Sequence, residues 1–373
     1  MTPHNQPTSA PNAAAATAEP PIVLDVRDLR TYFHTEYGTA LAVDGISFSV
    51  RRGQTLAIVG ESGCGKTVTA LSILKLIPMP PGEIVSGQIL LEGVDLVRLS
   101  PQELQAVRGG KAAMVFQEPA TSLNPVYTIG DQLIEAIRLH PRKLKEPDGR
   151  EVTRRATKTE ARNIVLDLLT EVRMSEPERR IDQYPHELSG GMKQRAMIAM
   201  ALSCNPHLII ADEPTTALDV TIQARILETL RDMREQHGTA VLLITHDLGV
   251  VAETADDVVV MYAGRIVEKA GVHALFAKPL HPYTIGLLNS LPDRTPDHAR
   301  LQAIPGNVPP PTRFPTGCRF RERCPLAAPK CMQDPQLMEV EPGHFSACWF
   351  AGEIAAGTKT VDFTKVAGGE TKK

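Results

Sequence analysis

Gly60-Glu61-Ser62-Gly63-Cys64-Gly65-Lys66-Thr67 carries three glycines and runs straight into a lysine and a hydroxyl side chain. Glycines let backbone N–H groups converge on an anion, because no Cβ blocks the approach or forbids the dihedrals. In such a loop Lys66 would bridge β- and γ-phosphate, and the Thr67 hydroxyl would ligate Mg²⁺. A second constellation, Leu208-Ile209-Ile210-Ala211-Asp212-Glu213, is an apolar run ending in two carboxylates. A buried strand there would deliver Asp212 to the metal and leave Glu213 to take a proton from an attacking water. A third, Leu188-Ser189-Gly190-Gly191-Met192-Lys193-Gln194, offers Ser189 as the cap of a helix beginning near Gly190, with its hydroxyl and amides facing a phosphate. The fourth is C-x5-C-x6-C-x16-C, formed by Cys318, Cys324, Cys331 and Cys348. Four thiolates are the ligand count of a [4Fe–4S] cluster, whereas zinc sites usually use close C-x2–4-C pairs, absent here. Arg313, Arg319, Arg321 and Arg323 would offset a cluster's charge or simply decorate a surface loop, and Phe314, Phe320, Phe345 and Trp349 would shield it from water. Iron–sulfur, zinc and free thiols all stay open on the spacing. Cys64 and Cys204 are isolated, and Cys64 reads as a small buried residue.

The elements that must position these groups follow from apolar patterning. Ile22 to Leu29, Leu41 to Val50, Thr55 to Val59 and Ala112 to Phe116 read as strands. The phosphate-loop candidate stands between the third of these and a helical stretch to Leu76, the required strand–loop–helix context. From Ile129 to Met200 the pattern turns helical, with Ile164, Val165, Leu168, Leu169 and Val172 on one face. The charged stretch Pro141 to Arg162 reads as a solvated loop or helix surface. Strands at Leu208 to Ala211, Ala240 to Thr245 and Val258 to Tyr262, with a helix near Ile222 to Gln236, resume a parallel-sheet pattern. The expected fold is therefore α/β: a phosphate-loop nucleotide-hydrolase core over 22–275 with a helical subdomain inserted at about 125–204. A small Cys-rich domain over 276–350 follows, flanked by a disordered tail at 1–21 and a flexible tail at 351–373.

Bulk properties narrow the function classes. Forty basic and 43 acidic side chains leave a net charge of −3, so nothing pulls the chain as a whole toward nucleic acid. No apolar run is long enough to span a bilayer, so a transport role would come through partners. The first residues lack the basic start and apolar core of a secretion signal. Six cysteines in 373 residues are too few for a disulfide scaffold.

In this order and spacing, Leu188 to Gln194 resembles the signature of the ATP-binding cassette family, over roughly Ile22 to Phe350. The resemblance implies that Gly60, Glu61, Ser62, Gly63, Cys64, Gly65, Lys66 and Thr67 hold ATP, with Thr67, Asp212 and Gln117 about the Mg²⁺. Gln117 in Phe116-Gln117-Glu118-Pro119 matches the loop glutamine, Asp219 the loop joining two ATPase halves, and His246 the switch histidine at the γ-phosphate. Glu213, His246, Lys66 and Gln117 are the implied catalytic set. Tyr37 matches the aromatic that stacks on adenine, with Phe33 as the alternative. Two copies would pack head to tail, with Ser189, Gly190 and Gly191 closing over the partner's ATP. Tyr184-Pro185-His186-Glu187, Lys278-Pro279-Leu280-His281-Pro282-Tyr283-Thr284 and the Cys318 to Pro325 stretch are similar to the dipeptide and oligopeptide importer ATPases, whose members are understood to bind a [4Fe–4S] cluster through this cysteine pattern. That group implies an ATP hydrolase at the cytoplasmic face of the bacterial inner membrane. Its implied partners are a second, non-identical ATPase, two permease subunits and an extracytoplasmic peptide-binding protein, with no nucleic acid. A soluble cassette ATPase of DNA repair or chromosome organisation is the rival, but it would carry a long coiled-coil or zinc insertion or a basic stripe. A motor for import of a non-peptide solute is a second rival. An exporter motor fits poorly with the absence of a fused membrane domain.

Overall fold

The computed structural model describes residues 19–146, 148–215, 220–291 and 304–365. It opens on a long antiparallel hairpin, β1 (Ile22–Thr35) and β2 (Gly38–Arg51). In β2 the apolar Ile46, Phe48 and Val50 are buried while Ser47 and Ser49 point away, the period of two that sheets require. β3 (Thr55–Val59) is buried at all five positions. β4 (Gly82–Leu91) and β5 (Val94–Asp95) extend the hairpin into a sheet of order β2-β1-β4-β5. β6 (Ala112–Val115) is followed by a small two-stranded hairpin, β7 (Arg142–Lys145) and β8 (Glu151–Arg154). β9 (Leu208–Asp212), β10 (Ala240–Ile244), β11 (Asp257–Tyr262) and β12 (Arg265–Gly271) come next, then β13 (Met338–Glu341) and β14 (His344–Ser346).

The large sheet runs β13-β14-β12-β11-β3-β10-β9-β6 among the described residues, with β11, β3, β10, β9 and β6 mutually parallel. β9 and β10 are buried at every position, as strands covered on both faces must be. The parallel strands end on one edge, where ligands bind in such sheets. Helices Ile129–Leu139, Lys158–Glu171 and Gly190–Leu202 form the inserted helical part. Thr128 caps the first; Thr157 and Glu160 close a capping box on the second. Leu133, Ile137, Val165, Leu169, Ala196 and Ile198 bury its apolar faces in one cluster.

Three expectations are corrected. The first strand continues past Leu29 to Thr35, because the hairpin pairs as far as Thr35 with Gly38. The charged stretch Pro141 to Arg162, expected as a solvated loop or helix surface, contains a strand pair, and only its last residues lie on a helix, Lys158–Glu171. The tail predicted as flexible from residue 351 instead forms helix Ala351–Ala355, and Phe363 is 3% exposed beside Phe320 and Gly286. Most of the tail expected at 1–21, and residues 366–373, lie outside the described residues.

The carboxy-terminal region is also tied into the core. β14 pairs with β12 and so lengthens the core's own sheet. Glu268 on β12, fully buried, accepts from the N–H groups of Leu280 and His281 at 2.6 and 2.9 Å and pairs with His344 Nε2 at 2.7 Å. His281 caps helix Pro282–Asn289, its Nδ1 accepting from the Tyr283 N–H. Burial with only a backbone partner pushes the His281 imidazole down to about 3, so it stays neutral.

Candidate functional site

Strand order decides what meets at the edge. β3, β10, β9 and β6 are neighbours, and their carboxyl ends lead into Gly60, Thr245-His246, Asp212-Glu213 and Phe116-Gln117. Gly60 and Gly65 are glycine for a steric reason. Both have positive φ, and a Cβ would stand 2.2 Å from the Met261 carbonyl oxygen at Gly60 and 2.3 Å from that of Ala42 at Gly65. Gly65 caps helix Lys66–Ile73, whose positive end faces the loop. Lys66, 6% exposed, donates to the carbonyls of Gly60 and Glu61 at 2.7 and 3.1 Å. Cys64 is wholly buried, and burial pushes its thiol up, in line with the packing role expected of it.

Asp212 lies 3.3 Å from Thr67 Oγ1. Burial raises its carboxyl to about 6, with the neighbouring Glu213 adding to the rise and the Thr67 hydroxyl opposing it. A buried carboxylate beside a hydroxyl suits a cation, and a proton competes with that cation below about pH 6. Glu213 accepts from Gln117 Nε2 at 3.1 Å through one oxygen and meets His246 Nδ1 at 3.2 Å through the other. Its backbone is left-handed, at φ 47°, a conformation that costs a non-glycine residue about 1–3 kcal/mol and tends to persist at functional positions. Gly63, Gly65, Lys66, Thr67, Gln117 and Glu213 line one open cleft of about 360 Å³.

Two predicted groups stand apart from this cleft, and a third cannot be placed against it. Ser189 accepts from the Met192 N–H as cap of helix Gly190–Leu202, and neither it nor Gly190 or Gly191 lines the cleft. Tyr37 sits at the hairpin tip, 82% exposed, while Phe33 and its cross-strand partner Ala40 form the cleft wall. Asp219 lies outside the described residues.

Cys318, Cys324, Cys331 and Cys348 are all free thiols; Cys331 is buried and the others partly so. Three of them receive backbone N–H groups two residues on: Phe320 at Cys318, Leu326 at Cys324, and Phe350 at Cys348, the last at 3.4 Å. Burial, with the charge of the neighbouring thiols, pushes Cys324 and Cys348 up to about 12. Among the described residues no three His, Cys, Asp or Glu side chains gather around a point where one ion would sit. Two of the four arginines, read either as offsetting a cluster's charge or as decorating a surface loop, pair elsewhere: Arg319 with Asp44 and Arg323 with Glu61.

Sequence reasoning missed the contributions that arrive from far along the chain. Pro311 lines the same cleft, and its carbonyl accepts from the Leu41 N–H at 3.0 Å. Gln194, 2% exposed, donates to the Pro214 carbonyl at 2.7 Å, joining the helix capped by Ser189 to the residue after Glu213. No periodicity or spacing marks such contacts. A larger cavity of about 420 Å³ between the hairpin and the cysteine region is lined by Arg30, Arg265, Arg319, Asp44 and Asp334, charges that pair with one another.

Comparison with known proteins matches residues 43–216 to the family described as ABC transporter, and residues 267–331 to that described as oligopeptide/dipeptide transporter, C-terminal region. The chain is 52% identical over 335 residues to the "Probable peptide ABC transporter ATP-binding protein y4tR" of Sinorhizobium fredii, covering 89% of this chain and 96% of that one. It is 48% identical over 335 residues to the oligopeptide transport ATP-binding protein AppD of Bacillus subtilis, covering 90% and 98%. A solved subunit of the ABC transporter complex cbiONQ from Clostridium perfringens superposes with a TM-score of 0.54 at 27% identity, covering 69% of this chain and 91% of that one.

Proposed function

The chain belongs to the ABC transporter ATP-binding family, and we propose that it is the ATP-hydrolysing subunit of a dipeptide or oligopeptide importer. The observation that carries this reading is one chain holding both the cassette core and the peptide-transporter C-terminal region, at about half identity to peptide-transport relatives along nearly its whole length. The ATPase domain is 22–275, with its helical subdomain at about 125–204, and the peptide-transporter region is 276–350. The chain works at the cytoplasmic face of the inner membrane with two permease subunits, an extracytoplasmic peptide-binding protein and a second, non-identical ATPase. No described helix is long and apolar enough to cross a membrane.

The geometry supports the following division of labour. Amides of the Gly60–Thr67 loop and the Lys66 ammonium hold the β- and γ-phosphates. Thr67 and Asp212, with Gln117 beside them, are the residues that would hold Mg²⁺, which neutralises phosphate charge as it builds in the transition state. Glu213 takes the proton of the attacking water, and His246 and Gln117 orient its two oxygens. Tyr37, exposed at the hairpin tip, lies against adenine, with Phe33 of the cleft wall as the alternative. Because Ser189, Gly190 and Gly191 do not reach the cleft of their own chain, they serve the ATP of the opposing ATPase, with Asp219 at the junction.

The four cysteines hold a [4Fe–4S] cluster. Four thiolates are the ligand count such a cluster would need, whereas zinc sites usually use close C-x2–4-C pairs, absent here. N–H groups aimed at three of the sulfurs, and a surround of Phe320 and Phe314, suit thiolates bound to a cluster. Protein purified without oxygen should be brown, with about four irons and four sulfides per chain. Colourless protein with one stoichiometric zinc would establish the zinc alternative.

The transport reading is tested in proteoliposomes with the co-purified permeases. Peptide-loaded binding protein should raise ATP turnover several-fold and drive peptide uptake. Stimulation by a different solute class, with none by peptides, would reassign the cargo. Failure to co-purify with any membrane subunit would favour the soluble-ATPase rival.

A further inference from the structure

The carboxy-terminal region grips the phosphate loop itself. The backbone N–H of Glu61, second residue of the loop, donates to Tyr283 Oη at 2.8 Å. Its carboxylate accepts from both terminal nitrogens of Arg323, at 2.6 and 2.9 Å. The Arg323 side chain is 6% exposed. Its Nε–H donates to the Pro305 carbonyl at 2.8 Å, and a further N–H to that of Gly306 at 3.2 Å. The guanidinium is therefore fixed from its own side before it meets the carboxylate, and the two-pronged geometry fixes the carboxylate in turn. The third polar group of Glu61, its carbonyl, accepts from Lys66 Nζ. One residue thus links the phosphate-binding lysine to Arg323, and Arg323 is followed directly by Cys324.

We propose that Arg323 is a positioning residue for ATP binding, acting through Glu61 to hold the phosphate loop, and that this contact makes ATP affinity depend on the state of the four-cysteine module. The first half rests on the nucleotide site proposed above and the second on the proposed cysteine ligation. Amides that must converge on a phosphate act best when held in place beforehand, and a loop freed at Glu61 must be ordered by ATP itself. A simple staple between core and module would change stability without changing affinity.

The test is a double-substitution cycle on the full chain, read by equilibrium binding of a fluorescent ATP analogue with Mg²⁺. Arg323→Ala and Glu61→Gln should each weaken binding about 10-fold, and the double variant should be no weaker than the poorer single. Effects that multiply, or single variants with unchanged affinity, overturn the proposal. Should Arg323→Ala not fold, Glu61→Gln, which keeps the side chain's size, carries the same test. Amide exchange at Glu61 should rise in the Arg323 variant while β9 and β10 keep their protection; an equal rise everywhere overturns it. Stripping metal from wild type with a chelator and reductant should weaken ATP binding, and stripping Glu61→Gln should cause no further loss. Equal losses in both overturn the link to the module. Iron, sulfide and zinc are assayed on the same samples, so absence of metal rejects the cysteine reading and leaves the Arg323–Glu61 cycle to be judged alone.

Discussion

Replacing Glu213 with glutamine is expected to leave ATP binding intact and to slow hydrolysis by about 10²-fold or more, the usual share of a general base. Glutamine preserves the shape and one acceptor oxygen, so Gln117 Nε2, 3.1 Å away, keeps a partner. What is lost is the ability to receive a proton. The His246 contact at 3.2 Å involves the oxygen that an amide group can replace with a donor, which would turn the ring away or force the other tautomer. The variant should therefore trap the closed, ATP-bound pair of ATPases, visible as a stable dimer on size exclusion with ATP and Mg²⁺. A single-turnover assay separates the chemical step from binding. Near-normal turnover in the assembled transporter would remove Glu213 from the role. The left-handed backbone at Glu213 adds a second expectation: Glu213→Gly relieves strain there but removes the base, so stability and activity should move in opposite directions.

The parts of this site that were legible in the sequence are those whose chemistry demands neighbouring residues. A phosphate loop must be contiguous because successive amides bind one anion, and Asp212 and Glu213 must end a buried strand because the sheet edge is where the ligand lies. The order of β3, β10, β9 and β6 then brings Gln117 and His246 to them without further signal. What could not be read depends on long closures. Arg323 reaches Glu61 across 262 positions, and its place in an arginine-rich stretch suggested a role toward the cysteines or a plain surface loop instead. β14 is three residues long, too short for its alternation to be told from a loop, yet it extends the core's sheet. Phe363 reads as one of a few scattered apolar residues in a polar tail, and only the aromatic cluster of Tyr262, Tyr283 and Phe320 shows what it packs on. The region predicted as an appended domain shares a hydrophobic cluster with Val59, Val258 and Val260 of the core sheet.

Lys66→Ala is expected to weaken ATP binding itself by roughly 10- to 100-fold, since a hydrogen bond to a charged group contributes about 1.5–3 kcal/mol. The ammonium lies over the carbonyls of Gly60 and Glu61, within the loop that would hold the phosphates. Alanine is a strong helix former, and helix Lys66–Ile73 starts at this residue, so the helix itself should persist. Two carbonyls lose a donor, however, and the loop loses its internal clasp. Lys66→Met, which retains most of the stem, separates lost charge from lost packing: both variants should bind ATP equally poorly if charge is what matters. Ser189→Ala offers the contrast. Its hydroxyl caps a helix outside the cleft, so the isolated subunit should bind ATP as wild type does, while hydrolysis in the assembled transporter falls. Calorimetric titration of the isolated chains decides the first comparison. Unchanged affinity in Lys66→Ala would show that the Gly60–Thr67 loop is not the phosphate site. An isolated monomer hydrolysing at the full rate of the complex would show that Ser189 has no partner ATP to close upon.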